Sequence, residues 1–264
     1  MFDSRSLRIA GDLTVEFWVK TTQTGANPEW FHNPVILDKD AEGPGQPDWA
    51  VVLRNSHVVW ETGNPGAGDD ALEGTAVISN GVWHHVALTR NATTGEKRIY
   101  MDGVLDVVGP GATGSLANTD PLYVGIGNRV FNAFQGSLDG LRLWGVERTQ
   151  DQIEAGRFVT VAENEPGLIA DWRCNETGTD VLRDYSATGN FGRLGERYNI
   201  DPSDPRRVRD IPLLPPLLGP TGHFYQVVSR TILPTFLPWA PPPQSRISRT
   251  EACVPSKSAT HRGH

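Results

Sequence analysis

The chain has few cysteines and no long apolar run, and each shortage excludes a class of protein. Two cysteines among 264 residues are too few for a small scaffold held together by disulfides. Cys174 and Cys253 could pair, but nothing in the sequence requires it. No apolar run approaches the ~18 residues of a membrane helix, so we expect no membrane insertion. The first residues, MFDSRSLRIAGD, lack the apolar core of a signal peptide.

Positive charge is scarce in the first three quarters of the chain. Residues 1–204 carry a net charge of −13 and residues 205–264 a net charge of +6, within a total of −7. Phosphate binding needs clustered cations. The acidic body therefore argues against nucleic acid as a partner.

Short stretches of alternating apolar and polar residues recur along the first 150 residues. In LTVEFWV (13–19), four apolar side chains fall on one face of a strand. Asp102-Gly103 suits a two-residue type I′ hairpin turn. Further strands are predicted at residues 49–61, 82–90, 97–108, 122–127 and 138–144. Many short strands with no helices between them indicate an all-β fold, an antiparallel two-sheet sandwich or jelly roll.

One short helix is expected after the last of these strands. In ERTQDQIEAGRF, Thr149 can cap the helix with Gln152 as its capping-box partner, and Gly156 can end it. A helix of about two turns after the last strand is predicted to cover one end of the sandwich.

The chain changes character after about residue 200. Eleven of the twenty prolines lie in residues 205–264, and proline cannot donate to a sheet ladder. We therefore predict three parts: a jelly-roll domain at residues 1–160, an extension at 161–204, and a basic, proline-rich, mostly disordered tail at 205–264.

Four stretches occur in an order that is typical of one family. They are LTVEFWVKT, WHHVALTRNATTGEKRIYMDGVL, LYVGIGN and FQGSLDGLRLW, and the RTQDQIEAG helix follows them. Over residues 5–157 the chain thus resembles the laminin G-like, or concanavalin A-like, jelly-roll domains. The resemblance implies two antiparallel sheets packed face to face and an extracellular or cell-surface location. It also implies a recognition or adhesion function, with a glycan or an extracellular protein as partner.

Residues 167–196 resemble the segment with which such a domain usually opens, although here they follow the sandwich. Two interpretations are open. The segment can be the start of a truncated second repeat, which we favour. Alternatively, it can fold back and supply edge strands to the first domain, since an unpaired sheet edge is a liability.

Asp139 stands alone among small, apolar and cationic residues in GSLDGLRLW (136–144). Because it alternates with Leu141 and Leu143, its carboxylate is predicted to point inward, where a buried charge needs hydrogen bonds or a cation. The family often holds a structural calcium ion in this region, which would make Asp139 and Asn128 ligands. The favoured alternative is a carboxylate that braces the backbone by accepting its N–H groups.

Residues for catalysis are not evident. Glycoside hydrolysis needs two facing carboxylates, and neither a run of alternating acids nor a Gly-x-Ser-x-Gly elbow occurs in the sequence. We therefore expect a non-catalytic module, with a related glycoside hydrolase or a structural spacer as alternatives. Trp49, Trp60 and Trp144 lie on strands with two partly apolar faces, so each belongs either to the core or to a sugar-stacking surface.

Overall fold

A computed structural model describes residues 5–41, 45–64, 68–127, 133–177, 179–195, 205–208 and 226–229. All of them lie in one compact unit, Met1–Thr231. The described strands are β1 Leu13–Lys20, β2 Val35–Asp38, β3 Trp49–Arg54, β4 His57–Asn64, β5 Gly68–Glu73, β6 His84–Arg90, β7 Lys97–Met101, β8 Val104–Gly109, β9 Tyr123–Val124, β10 Gly136–Trp144, β11 Leu168–Trp172, β12 Val181–Leu182, β13 Gly192–Arg193, β14 Arg206–Val208 and β15 Gln226–Ser229. The α-helix is α1, Gln150–Gly156, and short 3-10 turns cover Arg5–Leu7 and Trp30–His32.

The strands form two main antiparallel sheets, as the alternation predicts. The larger sheet has the order β14-β15-β10-β1-β6-β7-β8, with β11 also paired to β10, and the smaller has the order β5-β4-β3-β2-β9. At the β7–β8 hairpin, Asp102 and Gly103 both have positive φ, 53° and 87°, as a type I′ turn requires. The all-β, two-sheet jelly-roll prediction is confirmed.

The core lies between the two sheets, because alternate side chains of each strand point inward. The four apolar residues predicted on one face of β1 are all in this core, with Val51, Leu53, Trp60, Val86 and Leu88 from the other strands. A buried Leu or Phe contributes about 1.5–3 kcal/mol relative to an exposed one. The alternation of β1 therefore identifies which face of this strand is buried.

The helix α1 has the predicted capping box and ends at Gly156. Thr149 Oγ1 accepts from the backbone N–H of Gln152 at 3.3 Å, and Gln152 Oε1 accepts from that of Thr149 at 2.9 Å. Its Ile153 packs against Ala87 and Tyr100, which point away from the core. The helix therefore lies on the outer face of the larger sheet, and the prediction that it covers an end of the sandwich is wrong.

The segment after the helix adds a strand to the sandwich. β11 pairs with β10 through Leu141↔Trp172 and Leu143↔Ala170, and Ala170 and Trp172 are buried in the core. Of the two interpretations of residues 167–196, the structure has the one in which the segment supplies an edge strand. Whether the segment is also the start of a truncated second repeat, the favoured interpretation, is not tested by this pairing and stays a prediction.

Two short strands of the predicted tail also join the larger sheet. β15 pairs with β10 at Gly136–Leu138, and β14 pairs with β15. β14 is the outermost strand there, and β15 lies between it and β10. Neither strand contains a proline, so the prolines around them do not remove ladder donors. The predicted disorder of the rest of 205–264 falls outside the described residues, and the boundaries at 160 and 204 stay predictions.

Candidate functional site

A β-bulge decides where the carboxylate of Asp139 points. Glu16 of β1 pairs with Arg142 of β10, but Trp18 pairs with Asp139, so two residues of β10 oppose one residue of β1. Gly140 takes up the extra residue with a φ of +55°, a conformation that favours glycine. Asp139 therefore shares the outer face with Trp18 and Arg142, and the prediction that it points inward with Leu141 is wrong.

Asp139 is buried with very little to balance its charge. Its exposed fraction is 3%, and its Oδ1 accepts one hydrogen bond, from the backbone N–H of Gly140 at 2.8 Å. Burial raises the pKa of this carboxyl to about 7, despite that bond and the charge of Arg142. A single bond from the adjacent residue is a weak brace, so the carboxylate is held here at a cost to stability.

Asp139 opens onto a cavity on the outer face of the larger sheet. We call it the Asp139 cavity. Its volume is about 50 Å³, room for about four waters at 10–15 Å³ each. It is therefore sized for the polar end group of a ligand and not for a whole chain of sugars. Its lining is Trp18, His85, Asp139, Gly140, Arg142, Arg157, Phe158, Val159, Thr160 and Arg173.

The outer wall of the cavity is residues 157–160, which follow α1. Arg142 fastens this wall to the sheet: its Nη1 donates to the carbonyl of Gly156 at 3.0 Å and its Nη2 to that of Val159 at 2.6 Å. Trp18 Nε1 donates to the carbonyl of Arg157 at 3.2 Å. The wall is thus held by side chains of two central strands, which preorganises the cavity.

Aromatic rings and cations line the cavity together. The Trp18 ring lies 5.1 Å from Phe158 and 5.1 Å from His85, and the guanidinium of Arg157 lies 4.9 Å from the Phe158 ring centroid. Burial lowers the pKa of His85 to about 3, so this imidazole is neutral at pH 7. The permanent cations of the lining are Arg142, Arg157 and Arg173.

A row of alternating basic and acidic side chains lies on the sheet next to the cavity. Arg148 pairs with Glu16, Arg142 Nη1 lies 3.9 Å from Glu16 Oε2, and Arg142 Nε lies 3.3 Å from Asp171 Oδ1. Arg173 Nε then lies 2.6 Å from Asp171 Oδ2. Glu16 and Asp171 are fully buried, so each acid offsets charges that would be costly alone.

The three tryptophans predicted as core or sugar-stacking residues are all buried. Trp49, Trp60 and Trp144 have exposed fractions of 1%, 0% and 2%, and the Arg148 guanidinium lies 4.1 Å from the Trp144 ring centroid. A ring that is buried on both faces cannot stack on a ligand from solvent. The core interpretation fits all three, and the ligand-binding prediction for them does not fit their placement.

The sequence reasoning missed an exposed aromatic segment, the loop of residues 27–33. Trp30 packs on the outer face of the smaller sheet, and Phe31 is 48% exposed. The buried Asn33 holds the loop, because its Nδ2 donates to the carbonyls of Asn27 at 3.0 Å and Glu29 at 2.7 Å. The sequence signal for this loop was the pair of consecutive aromatic residues, Trp30 and Phe31, which stand next to Asn33-Pro34 and outside any alternating stretch.

The predicted calcium site at Asp139 and Asn128 has little support from its surroundings. Calcium takes six to eight oxygen ligands, whereas the Asp139 cavity offers one carboxylate among three guanidinium groups. Among the residues that the structure describes, no three acidic, histidine or cysteine side chains converge on a metal position. Asn128 lies outside the described residues, so its pairing with Asp139 stays a prediction.

Thermal melts with calcium and with a chelator test that prediction. A cation bound only by the folded state raises the free energy of unfolding by RT ln(1 + [L]/Kd). A calcium site would therefore give a higher melting temperature with calcium than with the chelator. Because the described lining is cationic, we expect the melts to coincide. Separate melts for the wild type that coincide for Asp139→Ala would restore Asp139 as a calcium ligand.

Comparison with known proteins gives a family, two curated relatives and a solved structure. The model of laminin G family 3, described as the concanavalin A-like lectin/glucanases superfamily, matches residues 2–154. The sushi, von Willebrand factor type A, EGF and pentraxin domain-containing protein 1 of Rattus norvegicus is 25% identical over 169 residues, 61% of this chain. Its Mus musculus counterpart is 27% identical over 114 residues, 40% of this chain. The chain spans only 4% and 3% of the length of these two relatives.

A Bacteroides ovatus protein proposed to bind carbohydrate shares the fold, with a TM-score of 0.54 and 17% identity over 71% of this chain and 53% of that one. The membrane is a separate question. In the part of the chain that the structure describes, no helix is long and apolar enough to cross a bilayer.

Proposed function

Because the chain belongs to the laminin G family of the concanavalin A-like lectin/glucanases superfamily, we propose that it is a non-catalytic recognition module that binds the end of a glycan. The observation that carries the proposal is the Asp139 cavity. It combines aromatic rings, a buried carboxyl group and guanidinium groups in one preorganised site. The Bacteroides ovatus protein of the same fold, itself proposed to bind carbohydrate, is consistent with this function.

The lining suits the chemistry of a sugar. A sugar ring has an apolar face that packs on an aromatic ring, and Trp18 and Phe158 supply two such rings 5.1 Å apart. Its hydroxyl groups need acceptors and donors in fixed positions, which the Asp139 carboxyl and the arginines provide. The small volume admits a polar end group of a terminal sugar, and the rest of the glycan stays outside the cavity.

A glycoside hydrolase is the rival function. A carboxyl with a pKa of about 7 is what a general acid needs at neutral pH. Glycosidases, however, use two carboxyl groups about 5–9.5 Å apart, and Asp139 is the one acid in the described lining of the cavity. The single carboxyl favours binding without turnover.

A protein partner is the second candidate, and the aromatic loop of residues 27–33 favours it. An exposed aromatic residue is typical of an interface anchor, and Phe31 is 48% exposed. We propose an extracellular setting for either partner. It is supported by the family resemblance and by the sushi, EGF and pentraxin domains in the names of the curated relatives.

A glycan array tests the proposed function with three variants. We expect Asp139→Asn and Phe158→Ala to lose the wild-type hits, by about tenfold or more in affinity for one or two lost contacts of ~1.4 kcal/mol. Phe31→Ala is the matched control, because it removes an exposed aromatic ring outside the cavity, and it should keep them. Loss of binding by Phe31→Ala alone would move the site to the loop.

The same glycan hits, incubated with purified protein, test the rival function. We expect no release of sugar. Release by the wild type that Asp139→Asn abolishes would contradict the non-catalytic assignment.

A further inference from the structure

We propose that the Asp139 cavity takes the carboxylate end of a terminal acidic sugar, and that Arg157 and Arg173 bind this carboxylate. The inference rests on the proposed function and adds the class of sugar. It follows from how the three arginines of the lining are used by the fold.

Each nitrogen of the Arg142 guanidinium already donates to the fold. Its Nε is directed to Asp171 and its two Nη groups to the carbonyls of Gly156 and Val159. Arg142 is also close to Glu16, so acids of the fold balance its charge. Arg142 therefore shapes the cavity, and its positive charge is already neutralised.

Arg157 is different, because it forms no ion pair with any residue that the structure describes. Its Nη1 donates to the backbone carbonyl of Asp102, which leaves Nε and Nη2 for a ligand. The side chain is half-buried against the Phe158 ring at 4.9 Å. The Asp102 carboxyl is a partial counter-charge, because Arg157 is one of the groups that lower its pKa. Since no described carboxylate lies within ion-pair distance of the guanidinium, its remaining N–H groups are suited to an anion from outside.

Arg173, directly after β11, adds further donors. Its Nε is used by Asp171 at 2.6 Å and its Nη2 by the carbonyl of Val161 at 3.0 Å, and Nη1 is left. Guanidinium groups are the preferred partners of carboxylates, which they bind through parallel N–H···O bonds. Arg173 shares Asp171 with Arg142, so it adds a hydrogen-bond donor to the anion-binding end of the cavity, and Arg157 supplies most of the charge.

The other lining groups require more than a bare anion. Asp139 is an acid, and it would repel an anion placed beside it but can accept a hydroxyl group. Trp18 and Phe158 offer ring faces between these polar groups. A ligand with a carboxylate, neighbouring hydroxyls and an apolar ring face meets all three requirements, and an acidic monosaccharide has them.

Calorimetric titration of the full chain with matched methyl glycosides tests the inference. For glucose, galactose and mannose, the probes are the neutral hexoside, the uronide with a carboxylate at C6, and the methyl ester of that uronide. We expect one uronide to bind at least tenfold more tightly than its hexoside and its ester. Its affinity should fall with added salt, while that of the hexoside should not.

Substitutions test whether Arg157 is responsible for the preference for the uronide. Arg157→Gln should lower the affinity for the uronide at least tenfold. Arg5→Gln, which removes the same charge from an exposed position outside the cavity, should leave it unchanged. Thermal melts of both variants establish that they are folded.

The failures are distinguishable from one another. Equal affinities for hexoside, ester and uronide would overturn the inference and leave the proposed function standing. Absence of binding to every glycoside, together with an empty glycan array, would overturn both. A glutamate peptide that displaces the uronide with equal affinity would reassign the site to an acidic protein segment and overturn the sugar class.

Discussion

Asp139→Asn is expected to raise the free energy of unfolding at pH 8 by about 2–4 kcal/mol, since one pKa unit corresponds to ~1.36 kcal/mol. Burial raises the pKa of this carboxyl from 3.8 to about 7 in the folded protein. The folded state therefore binds a proton more tightly than the unfolded state, and ionising the group destabilises the fold. Asparagine keeps an oxygen for the N–H of Gly140 and has no charge to bury.

The pH dependence of the difference is the sharper measurement. The stability that the wild type gains from the protonated carboxyl is complete below pH 3.8 and is lost as the pH rises to about 7. The gain from Asp139→Asn should therefore be near zero at pH 3.5, grow across that interval and level off above pH 7. Denaturant unfolding of the wild type and the variant at several pH values measures this gain. Burial lowers the pKa of His85 to about 3, so His85 destabilises the folded protein below pH 6.5. The same effect occurs in both proteins and cancels in the difference.

Exposed Glu165 provides the control for this series. Glu165→Gln removes a carboxylate that lies on the surface, and surface substitutions usually change stability by less than ~0.5 kcal/mol. If Asp139→Asn were destabilising at pH 8, the carboxylate would be the backbone brace that the sequence suggested. If Asp139→Asn is more stable than the wild type but no longer binds glycan, then Asp139 serves binding and lowers the stability of the protein.

Asp171→Ala is expected to have the opposite effect, a loss of about 3–5 kcal/mol, the usual cost of leaving buried partner charges uncompensated. Asp171 is fully buried between Arg142 and Arg173. Without it, two guanidinium groups lose their shared partner, and the side chain that holds the outer wall of the cavity loses one of its supports. Urea unfolding at pH 7 measures the loss, with Glu163→Gln as a control at an exposed acid of the same segment.

Hydrogen exchange adds a local measurement to the Asp171→Ala prediction. Asp171 lies on β11, which is attached to the sandwich through β10, so amides of 168–172 should lose protection before those of β1. A double variant, Asp171→Ala with Arg173→Ala, should cost less than the sum of the two single variants, because the pair is coupled. A loss of under ~0.5 kcal/mol, the level of a surface change, would contradict the electrostatic role of this acid.

The sequence predicted the parts of the fold that local patterns determine. The alternation of β1, the type I′ hairpin at Asp102-Gly103 and the capping box of Thr149 are each encoded within a few residues, and all are observed. The all-β class and the family resemblance follow from such patterns in order. None of them requires knowledge of which distant residues meet.

The site was harder to predict because it depends on distant contacts. Asp139 was identified, but its direction depends on a bulge, for which the glycine at 140 is a weak local signal. The outer wall is fixed by Arg142, whose bonds to Gly156 and Val159 no periodicity reveals. Trp49 and Trp60 stand in runs of consecutive apolar residues, 49–53 and 58–60, so alternation alone could not separate core from surface.

The position of β1 at the centre of the larger sheet has a consequence for synthesis of the protein. Its neighbours are β6 and β10, and Thr14 pairs with Trp144, about 130 residues later in the chain. At about 5–20 residues per second, a ribosome takes roughly 6–26 s to supply that partner. During this time an apolar strand lacks half of its hydrogen bonds, and non-local pairing of this kind folds slowly. The nascent chain therefore passes through a stage in which aggregation competes with folding, and this stage ends only when the second half of the domain has left the ribosome.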